Sequence, residues 1–179
     1  MSPHADAVRT LRAWQSPDAA QDALRRDFIE HLAMHADGLW RSCAPAHVTA
    51  SALIMSAGRD EVLLVLHAKA GMWLQAGGHC EPGDPTLAAA ALREATEESG
   101  IEELDLSAAP VRLDRHGAPC RPGIVDHHLD VQYLAIAPAG AVPRCSEETL
   151  DVAWFSCERL PEPSDVGPLV AAARSGAFS

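Results

Sequence analysis

The chain has 179 residues, of which 47% are hydrophobic and 22% charged, and a formal net charge of −11. That length suits one domain able to bury a core, and the balance is ordinary for a globular protein. The negative charge argues against unassisted binding to long nucleic acid or to an anionic membrane surface, although a bound metal would still admit a small anionic substrate.

Residues 1–46 read as an amphipathic helical extension. Within it Ser16-Pro17-Asp18 is a helix start, and apolar Leu24, Phe28, Leu32 and Ala36 follow every four residues. The extension packs either on the rest of the chain or on a second copy in a homodimer. Residues 47–179 form the main domain. It opens with a strand in HVTASALIMSA, a turn at Gly58-Arg59-Asp60 and a returning strand in EVLLVLH. A turn-rich run, AGMWLQAGGHCEPGDP, then leads into a helix. Asp84 fits its N-cap, Pro85 its first position and Gly100 its stop. Leu87, Ala88, Ala91, Leu92 and Ala95 supply its packing face. Further strands are expected at 111–117, 127–137 and 151–156, with a terminal helix in SDVGPLVAAARSG. Mixed helices and strands with early hairpin-like links predict an α/β (α+β) sandwich rather than a doubly wound parallel sheet.

The opening MSPHADAVRT lacks the apolar core of a secretory signal, and no uncharged apolar stretch reaches about 18 residues. Cys43, Cys80, Cys120, Cys145 and Cys157 form no C-x-x-C pair. A cytoplasmic protein with reduced thiols is expected.

Chemistry concentrates where the glycine-rich run meets the helix. Glu94, Glu97 and Glu98 fall at i, i+3 and i+4, hence on one helical face near the negative pole of the helix dipole. Like charges so placed cost a few tenths to about 1 kcal/mol each. A partner outside the helix is required, and a hard cation suits three carboxylates. Arg93 stands four residues before Glu97 and can hold a carboxylate. Carboxylates beside a flexible loop suggest metal-assisted attack of water on phosphorus.

The stretch GGHCEPGDPTLAAAALREATEESGI resembles the Nudix box, G-x5-E-x7-R-E-U-x-E-E-x-G-U with U apolar. Gly78 matches the first glycine, and Arg93 to Ile101 match the whole second half. Asp84 stands where the pattern has glutamate, and one extra residue separates it from Arg93. The resemblance spans about residues 47–162 and leaves the first helices unexplained. It implies a Nudix-type α/β/α sandwich with a mixed sheet, cleaving a nucleoside diphosphate linked to another group X with Mg²⁺ or Mn²⁺. By it, Glu94, Glu97 and Glu98 bind metal, the carbonyl of Gly77 or Gly78 adds a ligand, and Arg93 orients the glutamates. The base is a box glutamate or a later acid, for which Glu147 and Glu148 are the candidates. The alternative is a Nudix-like module that senses a nucleotide or metabolite without hydrolysing it.

Three more residues are weighed as substrate contacts. Lys69 meets a phosphate or is an exposed hairpin lysine, Trp73 stacks on a base or packs, and His79 touches phosphate or serves the loop. Trp154 and Phe155 read as core. Cys80 has no base beside it and is not expected to be a nucleophile. His127 and His128 alternate to opposite faces of a strand, which argues against a metal site made from the two.

Overall fold

The computed structural model describes residues 2–117, 127–146 and 149–176. Two helices come first, α1 (Pro3–Ala13) and α2 (Ala19–Met34). They are followed by β1 (Ala46–Met55), β2 (Glu61–His67), β3 (Met72–Leu74), β4 (Ala76–His79) and helix α3 (Leu87–Ser99). The chain ends with β5 (Asp105–Leu106), β6 (Arg112–Gly117), β7 (His127–Ile136), β8 (Thr149–Ser156) and α4 (Gly167–Ser175).

The strands form one mixed sheet in which β1 and β7 run parallel over their whole length, from Ala46↔His127 to Met55↔Ile136. The other pairings are antiparallel. Strand β1 is central, as its ten buried residues show. Its second edge is divided, with β4 pairing Thr49 to Ala52 and β2 pairing Ile54 and Met55. On one face Val48, Ala50, Ala52 and Ile54 join Leu129, Val131 and Tyr133 in a core that α3 and the N-terminal helices cover. On the other face Leu53, Met55 and Leu134 pack with Val166, Leu169 and Val170 around α4. Helices on both faces make the α/β/α sandwich that the sequence predicts. The remainder of that second face is polar: His47, Thr49 and Ser51 on β1 lie beside His128, Asp130 and Gln132 on β7. The buried Asp130 carboxylate accepts from Thr49 Oγ1 at 3.0 Å, Ser51 Oγ at 2.6 Å and Gln132 Nε2 at 3.1 Å.

The turn-rich run differs from expectation, because it contains the short strands β3 and β4. Glycines weaken a strand for lack of side chains, and β4 holds because β1 supplies four partners in register. The N-terminal segment comprises two helices with an irregular stretch after Met34, and Ala36 is exposed outside the second helix. Asp18 caps α2 by accepting from Gln21 N at 2.8 Å.

The extension packs on its own domain. Ala7, Leu11, Phe28 and Leu32 belong to the same core as the sheet. Gln21 bonds both backbone groups of Leu113, donating to O at 3.0 Å and accepting from N at 2.8 Å. Asp6 Oδ2 accepts from Leu87 N, the first residue of α3, at 3.2 Å. The first helix thus supplies a carboxylate to the positive end of the third, where unpaired N–H groups and the helix dipole favour one. Asp6→Ala is expected to destabilise the protein by about 1 kcal/mol, in the range of a lost cap, measured as a lower urea midpoint at unchanged slope. An unchanged midpoint would refute a capping role.

Candidate active site

Helix α3 begins two residues later than the sequence suggested. Thr86 is the N-cap and accepts from Ala89 N at 3.0 Å, while Pro85 lies before it. The extra residue between Asp84 and Arg93 therefore sits outside the helix, where it leaves the helical phase untouched. The packing face runs through Leu87, Ala90, Ala91 and Ala95, with Ala88 and Leu92 half-buried at its margins. The helix closes at Gly100 in the left-handed conformation (φ 67°).

Freed from capping, Asp84 turns to Arg93. Arg93 Nε donates to Asp84 Oδ1 at 3.0 Å and Nη2 to Oδ2 at 2.9 Å, a two-pronged pair of the kind guanidinium geometry favours. Asp84 Oδ2 also accepts from Glu81 N at 2.8 Å, which closes the loop on itself. Burial would raise the Asp84 pKa, but the bonds from Arg93 and Glu81 N outweigh it and hold the carboxyl below its usual range. Arg93 is held protonated, chiefly by its bond to Asp84. The same guanidinium donates to the His79 carbonyl at 3.0 Å, to Glu94 Oε1 at 3.0 Å and to Glu97 Oε2 at 3.2 Å.

The three glutamates are thus held by the protein itself. Arg93 takes Glu94 and Glu97, and Gly77 N donates to Glu98 Oε2 at 3.0 Å. Glu98 is buried at 7% exposure, whereas the Glu97 side chain keeps 58%. Strand β4 comes unusually close to its neighbours. A Cβ on Gly78 would lie 2.6 Å from Glu94 Oε1, and one on Gly77 would lie 2.3 Å from Ser51 Cβ. Only glycine allows both approaches, so the bare backbone of β4 faces the carboxylates of α3. Hard oxygen donors in that arrangement fit Mg²⁺ or Mn²⁺.

Lys69 is exposed in the turn between β2 and β3. Trp73 lies on β3, packs edge-on against Phe155 with ring centroids 4.8 Å apart, and pairs with the segment around Pro163 and Ser164. Its surroundings are those of a packing residue. Cys80 is buried, which pushes its thiol up to about 12 and suits no nucleophile. Glu147 and Glu148 lie outside the described residues.

His79 occupies a place the sequence did not disclose. Its ring lies on the polar sheet face, 4.9 Å between centroids from His47 and 5.2 Å from His128. Burial, then the positive field of His47, Arg41 and Lys69, brings its pKa down to about 4. Burial and the neighbouring His47 and His79 likewise lower His128 to about 3.

With this geometry in hand, likeness to known proteins is decisive. The family model described as the NUDIX domain matches residues 45–173. The chain belongs to the Nudix family. It is accordingly a Nudix hydrolase, an enzyme of the pyrophosphohydrolase class. Its fold is similar to that of a Nudix family hydrolase from Clostridium perfringens, with 26% identity, a TM-score of 0.58 and coverage of 72% of this chain and 95% of that one. A MutT Nudix hydrolase from Burkholderia pseudomallei is 27% identical, with a TM-score of 0.54 over 73% and 98% of the two chains. A C. elegans Ap4A hydrolase shares the fold at 22% identity, with a TM-score of 0.60 over 72% and 95%. No helix among the described residues is long and apolar enough to cross a membrane.

Asp84→Asn should cost about 2 kcal/mol, because it leaves the Arg93 fork half-paired in a semi-buried place. The pair's contribution is fully present above the unfolded Asp pKa of about 3.9 and is lost as pH falls through the lower folded value. Urea melts from pH 7 to pH 2.5 should therefore show wild type converging on the variant only below about pH 4. A constant gap down to the lowest pH would remove the carboxylate from the account.

Proposed function

We propose that this Nudix hydrolase cleaves the diphosphate linkage of a nucleoside diphosphate bound to a further group X, by attack of water on phosphorus. The observation that carries the reading is the pinning of Glu94, Glu97 and Glu98 against the glycine backbone of β4 by Arg93 and Gly77 N. Acidic oxygens thus lie beside a strip of main chain that carries no side chains at Gly77 and Gly78.

Glu94, Glu97 and Glu98, with the carbonyl of Gly77 or Gly78, would hold Mg²⁺ or Mn²⁺. When bound, such an ion neutralises the diphosphate and lowers the pKa of a coordinated water. The chain's own contribution is positional. The guanidinium fixes Glu94 and Glu97 in direction, and the Asp84 clamp fixes the guanidinium. Glu98 is buried, and the Gly77 amide that its Oε2 accepts fixes its direction beside β4. Among the box carboxylates that combination favours Glu98 as the base, with the later acids Glu147 and Glu148 as the other candidates.

The substrate is a small phosphorylated molecule, and a dinucleoside polyphosphate belongs in any panel because a C. elegans relative by fold is an Ap4A hydrolase. Lys69 would serve a phosphate from the turn and Trp73 a base only if the substrate reaches β3.

Glu98→Gln should reduce kcat by at least about 100-fold with Mg²⁺ across a panel of nucleoside diphosphate derivatives, as loss of a positioned acid–base group does. Its melting temperature should stay within a few degrees of wild type. Unchanged turnover would sink the assignment, and tight nucleotide binding by wild type without turnover would favour a sensing module. Gly78→Ala forces Glu94 to move, and a flexible side chain can do so cheaply. It should lose activity about tenfold or more while remaining folded, which a gel-filtration and circular-dichroism check establishes.

A further inference from the structure

Three histidines from three strands meet on the sheet face opposite the glutamates. His47 and His128 are direct partners in the parallel β1–β7 register. His79 pairs with Thr49, two residues along β1 on the same face as His47. The ring centroids form a nearly equilateral triangle, with sides of 4.9, 5.0 and 5.2 Å. One nitrogen from each ring can be chosen so that all three lie within 4.8 Å of one another. Tetrahedral zinc with bonds of about 2.0–2.1 Å sets its ligand nitrogens about 3.4 Å apart. Small rotations about the side-chain bonds cover that difference.

The polar bookkeeping of the cluster is incomplete. His47 is 0% exposed, yet its Nε2 has no hydrogen-bond partner among the described residues, and the same holds for the buried His79 Nε2. A buried polar atom left unpaired is costly and calls for a ligand. The sign of that ligand follows from the other side of the ring. His47 Nδ1 lies 3.3 Å from the Cys43 carbonyl oxygen, which can only accept. Nδ1 therefore carries the proton, and Nε2 presents a lone pair. A buried lone pair without a donor suits a cation and repels a phosphate oxygen. An imidazole fixed by a backbone carbonyl on one nitrogen and offering the other is the usual setting of a metal-bound histidine.

We propose that His47, His79 and His128 form a second metal centre, one that takes Zn²⁺ or a similar imidazole-seeking divalent ion and is distinct from the glutamate site. Donor type separates the two, since imidazole favours Zn²⁺, Ni²⁺ or Cu²⁺ and carboxylate oxygens favour Mg²⁺ or Mn²⁺. Three protein ligands leave a fourth tetrahedral position for water or an anionic oxygen. The two centres sit back to back on β4, where Gly78 turns towards Glu94 and His79 towards His47. The centre stands on its own geometry and does not depend on the hydrolase reading.

The test uses the full chain after chelator treatment, with Zn²⁺ and Co²⁺ as probes in excess Mg²⁺. Calorimetry should find one tight Zn²⁺ per chain, retained in Glu97→Gln and in Cys145→Ser, which removes an exposed thiol. His79→Asn and His128→Asn should each weaken it by at least about 100-fold while keeping the wild-type circular dichroism. X-ray absorption of the zinc form should show several imidazole nitrogens, and this reads the wild type alone should a variant fail to fold. No tight Zn²⁺ in wild type, equal affinity in folded histidine variants, or a shell without imidazole would each overturn the proposal. So would inorganic phosphate binding that depends on these histidines in place of metal.

Discussion

The site is organised by a single guanidinium. Arg93 reaches into the loop at Asp84, across to the backbone of β4 at His79, and along its own helix to Glu94 and Glu97. Three segments that would otherwise drift relative to one another meet on one planar, permanently charged group. Only arginine has donors enough in a fixed fork to do this, and a lysine would satisfy one partner at a time. The glutamates, crowded at the wrong end of a helix dipole, are stable there because this cation lies among them. Part of the repulsion that the bare sequence suggests is thus relieved within the protein, and a bound metal would add to that relief.

Loop and helix tolerate the extra residue for the same reason. Asp84 is one methylene shorter than the glutamate of the family pattern and one residue further from Arg93. It still delivers both oxygens, because the intervening Pro85 lies before the cap at Thr86 rather than inside the helix.

Much of this is legible in the sequence. The box, the hairpin, the later strands and both ends of the mixed α/β order follow from local patterns of hydrophobicity and turn residues. The identity of the family followed from residues 77–101 alone. What escaped depends on distant pairing. Strands β3 and β4 lie in a run whose glycines speak for loop, and only β1, more than twenty residues earlier, makes β4 a strand. The histidine triangle escaped more completely. Alternation sends His127 and His128 to opposite faces, and the ring neighbours of His128 are instead 49 and 81 residues away in sequence, at His79 and His47. No spacing rule joins them, because their meeting is a property of the parallel β1–β7 register. Likewise Asp84 reads locally as a cap, and tertiary competition from Arg93 draws it elsewhere.

The contact between Asp6 and the start of α3 bears on where this protein can be cut. Likeness to the family begins at residue 45, but hydrophobic side chains on both sides of that point share one interior. A fragment trimmed to the family boundary would bare the outer surface of the box helix, leave Leu113 without Gln21, and lose the carboxylate at the helix's positive end. Kinship and cooperative folding thus draw different borders through the same polypeptide. Fragments intended to report on the enzyme must respect the second.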